Sequence, residues 1–573
     1  MSNNELISWI LISALLLLSV SCQSTPNTQS NATVNKSPAS ANALAPANMS
    51  RVGTIDERYQ SYNVEMLEVT GGKFWKPYGP ELEAILKERK PAAAAEADAS
   101  TPAGMDPRLY EYRPPIDLTN ARLRKLAAAL GPAYVRVSGT WANTTYFPDN
   151  DQAPSKPPTG FMGVLSHQQW KGVIDFSNAV DAGIVTSFAT SVGTRDSSGV
   201  WTPEQARRFL EYTKSVNGKI AAAEFMNEPT LAAMGGAPKR YNARDYGRDF
   251  LLFRKFIRET APDMLLLAPG SVGETTGDWG VAYGTADILK TRDLLAASGA
   301  GVDAFSYHHY GASSQRCTAV GKQTTAAAAL SEEWLGRTDE TLAFYRKLRD
   351  QFEPGKPFWN TETAETACGG NPWAGTFLDT FRYLDQLGRL ARQEVRVVIH
   401  NTLVASDYSL LDEQTLEPKP SYWGALLWRR LMDTTVLDSG IPIREGLHVY
   451  AHCLRGTSGG VALLVINNDR NAARTLTIPV AGERYTLSSN ELQSKTVQLN
   501  GTELKLGEGA ELPVLAGISI QPGSVEFGPA TITFIALPQA GNGACQATSA
   551  RSGPRLRRLT HLAVADDAGR ARA

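Results

Sequence analysis

The sequence has almost no charge of one sign to spare: 57 Lys and Arg against 58 Asp and Glu, a formal net charge of −1. With no basic excess there is no general field to hold a polyanion, so nucleic acid is not an expected partner. A bilayer-spanning run is also missing. The apolar stretch Ile7 to Val20 is shorter than the roughly 20 residues a membrane helix needs. No Gly-rich phosphate loop follows the first strand candidate, which counts against a nucleotide-binding open sheet. The adjacent pair His308-His309 has no third ligand at metal spacing, so no metal is expected, and no cofactor is implied. What remains is a chain of 573 residues with an ordinary apolar fraction of 42%. That is enough for two folded domains plus tails.

The start of the chain reads as a targeting segment. The run Ile7 to Val20 followed by Ser21-Cys22 resembles a bacterial lipoprotein signal over 1–22, with Cys22 as the lipidated residue. The stretch before the run lacks Lys and Arg, and Ser19 stands where that signal has Leu, so an ordinary signal peptide is the alternative. Residues 23–51, rich in Ser, Asn, Ala and Pro, read as a disordered tether. Export to the periplasm, outer membrane or medium follows, with a membrane link only through a lipid anchor. Of the five cysteines, four remain beyond Cys22: Cys317, Cys368, Cys453 and Cys545. An even number in an exported chain suggests two disulfides, with four buried free thiols as the alternative.

Beyond the tether a rhythm sets in. Strand candidates are Tyr62 to Val69, Ala133 to Val137, Val185 to Ala189, Ile220 to Met226, Met264 to Ala268, Val302 to Tyr307, Lys356 to Asn360 and Val395 to His400. Helical periodicity lies between them, as in Asn120 to Leu130, Gln168 to Val180 and Phe377 to Arg392. Strand and helix alternating in this way predict an α/β fold, a (β/α)8 barrel over 52–435, with a doubly wound sheet as competitor. The segment Val52 to Ile55 is also fit to add an edge strand to the next domain. The stretch from Lys87 to Asp106, charged and then Ala/Pro-rich, reads as an insertion. Past Val436 the pattern changes to short β runs split by turns, which predicts a β-sandwich over 436–546. The Arg-rich remainder, 547–573, reads as a disordered tail.

Two acidic residues stand out. Ala221 to Met226 ends in Asn227-Glu228-Pro229, and Pro357-Phe358-Trp359-Asn360-Thr361 leads to Glu362. In a barrel the C-terminal ends of all strands share one face. Glu228 after strand four and Glu362 after strand seven can therefore meet, and two facing carboxyl groups are the working parts of a glycosidase. His308 and Tyr310, two apart, share one side of strand six, and His309 takes the other.

Asn-Glu-Pro after strand four and Glu after strand seven resemble glycoside hydrolase clan A. Further stretches narrow the resemblance to family 79, the heparanase and β-glucuronidase family. These are Gly131 to Thr140, Ser306 to Tyr310, Glu362-Thr363 with Gly369-Gly370, Ala405 to Tyr408, Ser494 to Gly501, and His448 to Cys453 with the late Cys545. The resemblance implies a retaining mechanism with Glu362 as nucleophile and Glu228 as acid/base. It implies that Asn227 bonds the sugar 2-hydroxyl. On strand six, Tyr310 is expected to donate to Glu362 and His308 to line the sugar site, with a satisfied structural histidine as the alternative for His308. Backbone N–H groups near Gly369 and Gly370 and the Tyr408 hydroxyl would take the uronate carboxylate. The animal enzymes have three glycines where this chain has Cys368-Gly369-Gly370. Glu65, at the end of strand one, is placed to bind sugar hydroxyls. Cys453 and Cys545 occupy the positions of the family's β-domain bridge, and Cys317 and Cys368 follow neighbouring strands, so a second bridge is expected there. The loop from Thr140 to Thr159 has only Lys156 as a cation, too few for sulfate recognition. The expected partner is thus a glucuronide or glucuronate-containing glycan, cleaved by an exo β-glucuronidase. The alternatives are heparanase-like endo cleavage, another clan A activity on arabinofuranosides or xylan, and a surface lipoprotein that binds glycans without cutting them.

Overall fold

A computed structural model describes residues 42–88, 105–276, 288–317 and 321–546. Cys22 and the signal segment, the tether up to residue 41, nearly all of the insertion from Lys87 to Asp106 and the Arg-rich tail lie outside the described residues. Eight parallel strands close into a barrel. They are Gln60–Glu65 (β1), Ala133–Ser138 (β2), Ala182–Ser187 (β3), Ile220–Glu224 (β4), Leu265–Ser271 (β5), Ala304–Tyr310 (β6), Phe358–Ala364 (β7) and Val395–His400 (β8). Each strand pairs with the next in sequence, and β8 pairs with β1.

The strand period of two decides which residues fill the barrel. Val185, Ala222, Leu267, Ala304, Trp359, Val397 and Ile399 form an apolar layer inside it. Their chain neighbours, such as Phe305, Phe358 and Val398, face outward and join the helices in the main core. Asn63 on β1, Arg136 on β2, Glu224 on β4 and Glu362 on β7 form a buried polar layer instead. The apolar layer closes the barrel below that polar one, so the fold is a packed core with one polar mouth.

The strand ends differ from the sequence reading. β4 stops at Glu224, while β6 runs on to Tyr310 and β7 to Ala364. The register of β6 on β7 pairs Tyr307 with Asn360 and then His308 with Glu362, so Thr361 is an extra residue, a β-bulge.

Beyond the barrel, a mostly antiparallel region follows. Its main sheet runs in the order Arg51–Thr54, Met432–Leu437, His448–Leu454, Val461–Asn467, Thr531–Leu537 and Gly482–Ser488, continued by two short strands. The segment just before the barrel therefore supplies the edge strand of this sheet. Both faces are covered. Val449, Ala451, Val465 and Ile535 pack on Leu476, Ile478, Val525 and Phe527 of a separate two-stranded sheet, Arg474–Ile478 with Gly523–Phe527. Tyr450, Leu464 and Phe534 face the other way and join the barrel's core with Phe381 and Trp423. The helix Phe377–Arg392 lies between the two parts, and a Cβ at Gly388 would sit 2.3 Å from the Tyr450 ring. Cys453 is bonded to Cys545 and Cys317 to Cys368.

Candidate active site

Glu228 does not sit on β4 itself. Beyond Glu224 the chain leaves the sheet, and its backbone groups find other partners. The Asn143 side chain grips Asn227 twice, accepting from its N–H (2.8 Å) and donating to its carbonyl (2.9 Å). Pro229 then opens a short 3-10 turn, and Glu228 between them has a left-handed φ of 48°. Such a backbone is uncommon for a residue with a Cβ and is found where the surroundings enforce it. Here it carries the carboxylate from the strand end back over the barrel mouth.

Glu362 reaches the same place from β7. Because of the bulge, Thr361 and Glu362 both turn inward although they are consecutive: the Thr361 hydroxyl donates to Glu224 (2.7 Å), and Glu362 accepts from Arg136 (2.8 Å). Tyr310 donates to the other Glu362 oxygen (2.7 Å). Arg136, 1% exposed, is the hub of the polar layer. It also donates to Glu224 (2.9 Å) and to the side-chain oxygens of Asn227 (2.7 Å) and Asn63 (3.3 Å). One of its nitrogens faces His308 Nε2 at 3.3 Å. A guanidinium has no acceptor, so that ring nitrogen must accept and Nδ1 carries the hydrogen. His308 Nδ1 then donates to Glu228 Oε1 at 3.0 Å.

Ligand atoms of Glu228, His308 and Glu362 all lie within 4.8 Å of one another. That spacing would also suit a divalent ion, but Arg136 already supplies the counter-charge to Glu362. The two carboxyl groups occupy unlike surroundings. Burial raises the proton affinity of Glu228, and the charge of Glu362 adds to it; the His308 hydrogen bond opposes both, and the net shift is upward. Glu362 has a cation on one oxygen and a phenol on the other. For Glu224, burial pushes upward, but the Arg136 charge, together with the Thr361 hydrogen bond, outweighs it and holds the carboxyl below its ordinary value. Glu65 is raised well above the carboxylate range, first by burial and then by the charges of Glu362 and Glu68.

These groups open on a cleft enclosing about 570 Å³ of empty space. Glu65, Glu228, Glu362, Tyr310 and Tyr408 line it, with Phe74, Trp75, Tyr110 and Trp141 as aromatic walls. Among the described lining residues there is no Lys or Arg. Cys368 also lines it, at the start of the turn through Gly369 and Gly370, whose φ angles are 79° and 83°. A Cβ on Gly369 would meet the Trp75 ring at 2.8 Å, and one on Gly370 would meet Ala374 at 2.8 Å and the Tyr408 ring at 3.1 Å. Both glycines are required by their backbone and by their neighbours. Asn401 donates to the hydroxyls of both Tyr310 (3.0 Å) and Tyr408 (3.1 Å), linking the two phenols.

The structure thus gathers Glu228, Glu362, His308, Tyr310, Asn227, Glu65 and Tyr408 at one barrel mouth, with Gly369 and Gly370 at its edge. His308 is 1% exposed and supports Glu228 from below, where the sequence reading had it lining the sugar site. Asn227 is likewise buried, its amide oxygen held by Arg136 and its NH2 therefore turned from the guanidinium. His309 points outward to Thr341 (3.0 Å), and burial holds its pKa down at about 3. Sequence reasoning missed Arg136, Glu224, Asn143 and Arg316. Arg136 and Glu224 carried a usable signal, since each is a charged residue inside an otherwise apolar strand run and must find a partner within the barrel. Asn143 and Arg316 sit in short 3-10 turns of the connections after β2 and β6, where a polar residue is unremarkable.

A family model described as glycosyl hydrolase family 79, N-terminal domain, matches residues 115–388. Heparanase from Bos taurus is 27% identical over 500 residues, 77% of this chain and 87% of its own length. Baicalin-beta-D-glucuronidase from Scutellaria baicalensis is 26% identical over 366 residues, 60% of this chain and 64% of that protein. Among solved structures, a 4-O-alpha-L-rhamnosyl-beta-D-glucuronidase from Fusarium oxysporum superposes with a TM-score of 0.55 at 12% identity, covering 86% of this chain and 99% of that one, a likeness of fold. The family match spans Arg136, Glu228 and Glu362, and the relatives extend it over most of the length: the chain belongs to glycoside hydrolase family 79.

Proposed function

We propose that the protein is an exported, retaining exo-β-glucuronidase that removes β-linked glucuronate from glucuronides or unsulfated glycans by double displacement. The observation that carries the reading is the pair of carboxyl groups, with oxygens of Glu228 and Glu362 no more than 4.8 Å apart. Retention uses carboxyl groups about 5–5.5 Å apart, whereas inversion leaves about 6.5–9.5 Å for a water. Glu362, ionised against Arg136, attacks the anomeric carbon as Glu228 protonates the leaving oxygen. In the covalent intermediate the Glu362 charge is gone, the proton affinity of Glu228 falls, and it serves as base for the incoming water. The NH2 of Asn227 is oriented to donate to a sugar hydroxyl, in keeping with a 2-hydroxyl contact.

Three features support the uronate. The N–H groups of Gly369 and Gly370 face no acceptor among the described residues, the Tyr408 hydroxyl lines the cleft, and a relative bears the name of a β-glucuronidase. The cation-poor cleft favours unsulfated substrates over sulfated ones. The four-Cys pattern and the apolar N-terminal run support export; the site itself says nothing of it. A glucuronate-configured covalent inactivator followed by peptide mass spectrometry tests the reading, with the label expected on Glu362. A label elsewhere, or hydrolysis of aryl arabinofuranosides but not aryl glucuronides, would overturn it.

A further inference from the structure

The turn after β7 is held from behind by groups that touch no substrate. Cys368, Gly369 and Gly370 have φ angles of 65°, 79° and 83°, so three successive peptides turn through the left-handed region. Their carbonyls are all taken up on the protein side. Cys368 O accepts from Ser314 Oγ (2.9 Å) and Arg316 (3.3 Å), Gly369 O from Ser406 Oγ (2.9 Å) and Gly370 O from Arg316 (2.8 Å). In a trans peptide the N–H points opposite to the carbonyl before it. The N–H groups of Gly369 and Gly370 are thus directed away from Arg316 and Ser406, and neither meets an acceptor among the described residues. The next N–H, of Asn371, is already engaged by Glu365 (2.9 Å).

Arg316 is wholly buried. It also bonds Lys76 O (2.7 Å) and the Asp407 carboxylate, and lies 4.1 Å from the centre of the Tyr78 ring. Its chain neighbour Cys317 is bonded to Cys368, which begins the turn. The guanidinium and the disulfide therefore grip the same three residues from one side.

We infer that Arg316 and the Cys317–Cys368 bridge are positioning elements for acid recognition, which rests on the β-glucuronidase reading above. The buried cation draws the carbonyls on either side of the turn, those of Cys368 and Gly370, toward itself through charge-assisted hydrogen bonds, which are about twice as strong as neutral ones, while Ser406 holds the Gly369 carbonyl between them. The N–H groups of Gly369, opposite the Cys368 carbonyl, and of Gly370, opposite the Gly369 carbonyl, are then presented to the cleft as a concave anion site, with the Arg316 charge behind it. The chain places no cation in the described cleft wall. Selectivity for a carboxylate over a hydroxymethyl group therefore falls to these aligned peptides. Without the brace the carbonyls are free to turn outward, where an oxygen repels a uronate but tolerates a neutral sugar.

The test compares an aryl β-glucuronide with the matching β-glucoside in Arg316→Met, Arg316→Lys and the double variant Cys317→Ser/Cys368→Ser. Loss of a hydrogen bond to a charged group corresponds to about 10- to 100-fold. Arg316→Met should lose kcat/KM on the glucuronide by that factor, mainly through KM, with glucoside turnover unchanged. Arg316→Lys keeps the charge without the fork and should recover part of the loss. The bridge variant should lose glucuronide selectivity in the same direction, and guards against failure of Arg316→Met to fold. An equal fall on both substrates, or an unchanged glucuronide KM in both Arg316→Met and the bridge variant, would overturn the inference. Absence of glucuronide turnover in the wild type would remove the β-glucuronidase reading and this inference with it; parallel losses in an active wild-type background would remove the inference alone.

Discussion

At the scale of single residues, the site depends on two glutamates of the same chemistry in opposite states. Glu228 is buried beside a negative charge and is raised; Glu362 faces a guanidinium. A raised acid keeps its proton to higher pH, so activity should persist above the ordinary carboxylate range and fall as pH rises through the elevated value. In Glu362→Gln one cause of that elevation disappears. The Glu228 titration, followed by infrared or NMR, should then move down, and an unmoved titration would mean that burial alone sets it. Glu228→Gln should cost about 10²–10⁴-fold in kcat on substrates with poor leaving groups and far less on activated aryl glycosides, where departure needs little protonation. Equal losses on both kinds of substrate would deny Glu228 the acid role. The glutamates were legible because each closes an apolar run. Arg136 was not given a role: a charge inside an apolar run must find a partner within the barrel, but the run does not say which strand supplies it.

Elements explain how those residues arrive. The alternation of strand and helix was readable over the whole barrel, because parallel strands buried on both faces stay apolar and helices keep their 3.6-residue period. Strand ends were less so. β4 ends at Glu224 because Asn143, from the loop after β2, takes the backbone groups of Asn227 that a further sheet partner would have taken. Replacing Asn143 with Ala leaves both buried groups unpaired, at about 1–3 kcal/mol each. Turnover should fall about tenfold as Glu228 loses its fixed position, with a lowered melting temperature; unchanged kcat would show that Pro229 alone suffices. The bulge at Thr361 was invisible from sequence, since one extra residue in a strand leaves the composition as it was. Without it, Thr361 and Glu362 would face opposite sides, and only one could enter the barrel.

For the whole molecule, the contact between barrel and sheet carries buried charge as well as apolar surface. His448 on the sheet bonds Asp385 on the helix Phe377–Arg392 and Glu332 (2.8 Å). Tyr450 donates to Asp385 as well, and Arg389 pairs with Asp385. Burial opposes the charge on His448, but Asp385 and Glu332 outweigh it and raise its pKa from 6.5 to about 9. Burial opposes the charge on Asp385 too, but His448 and Arg389 bring it from 3.8 to about 2. The sign follows for each. The His448 contribution is complete below pH 6.5 and is lost as pH climbs toward 9; that of Asp385 is complete above 3.8 and is lost as pH falls toward 2. Stability from this pair should therefore peak between about pH 4 and 6.5, and thermal unfolding across pH checks it. Asp385→Asn, which leaves His448 and Arg389 short of a partner, should cost about 3–5 kcal/mol and flatten the alkaline decline. A decline as steep as in the wild type would mean that another group governs it.

The sequence alone determined the element types, their order, the barrel and the identity of the two facing glutamates, because periodicity and the ends of apolar runs are local properties of a chain. Only the tertiary structure decided which buried charges meet: Arg136 between Glu224 and Glu362, Arg316 beneath the glycine turn, and His448 against Asp385. Pairing of a buried charge is set by distances between segments far apart in the chain, and no local pattern encodes a distance.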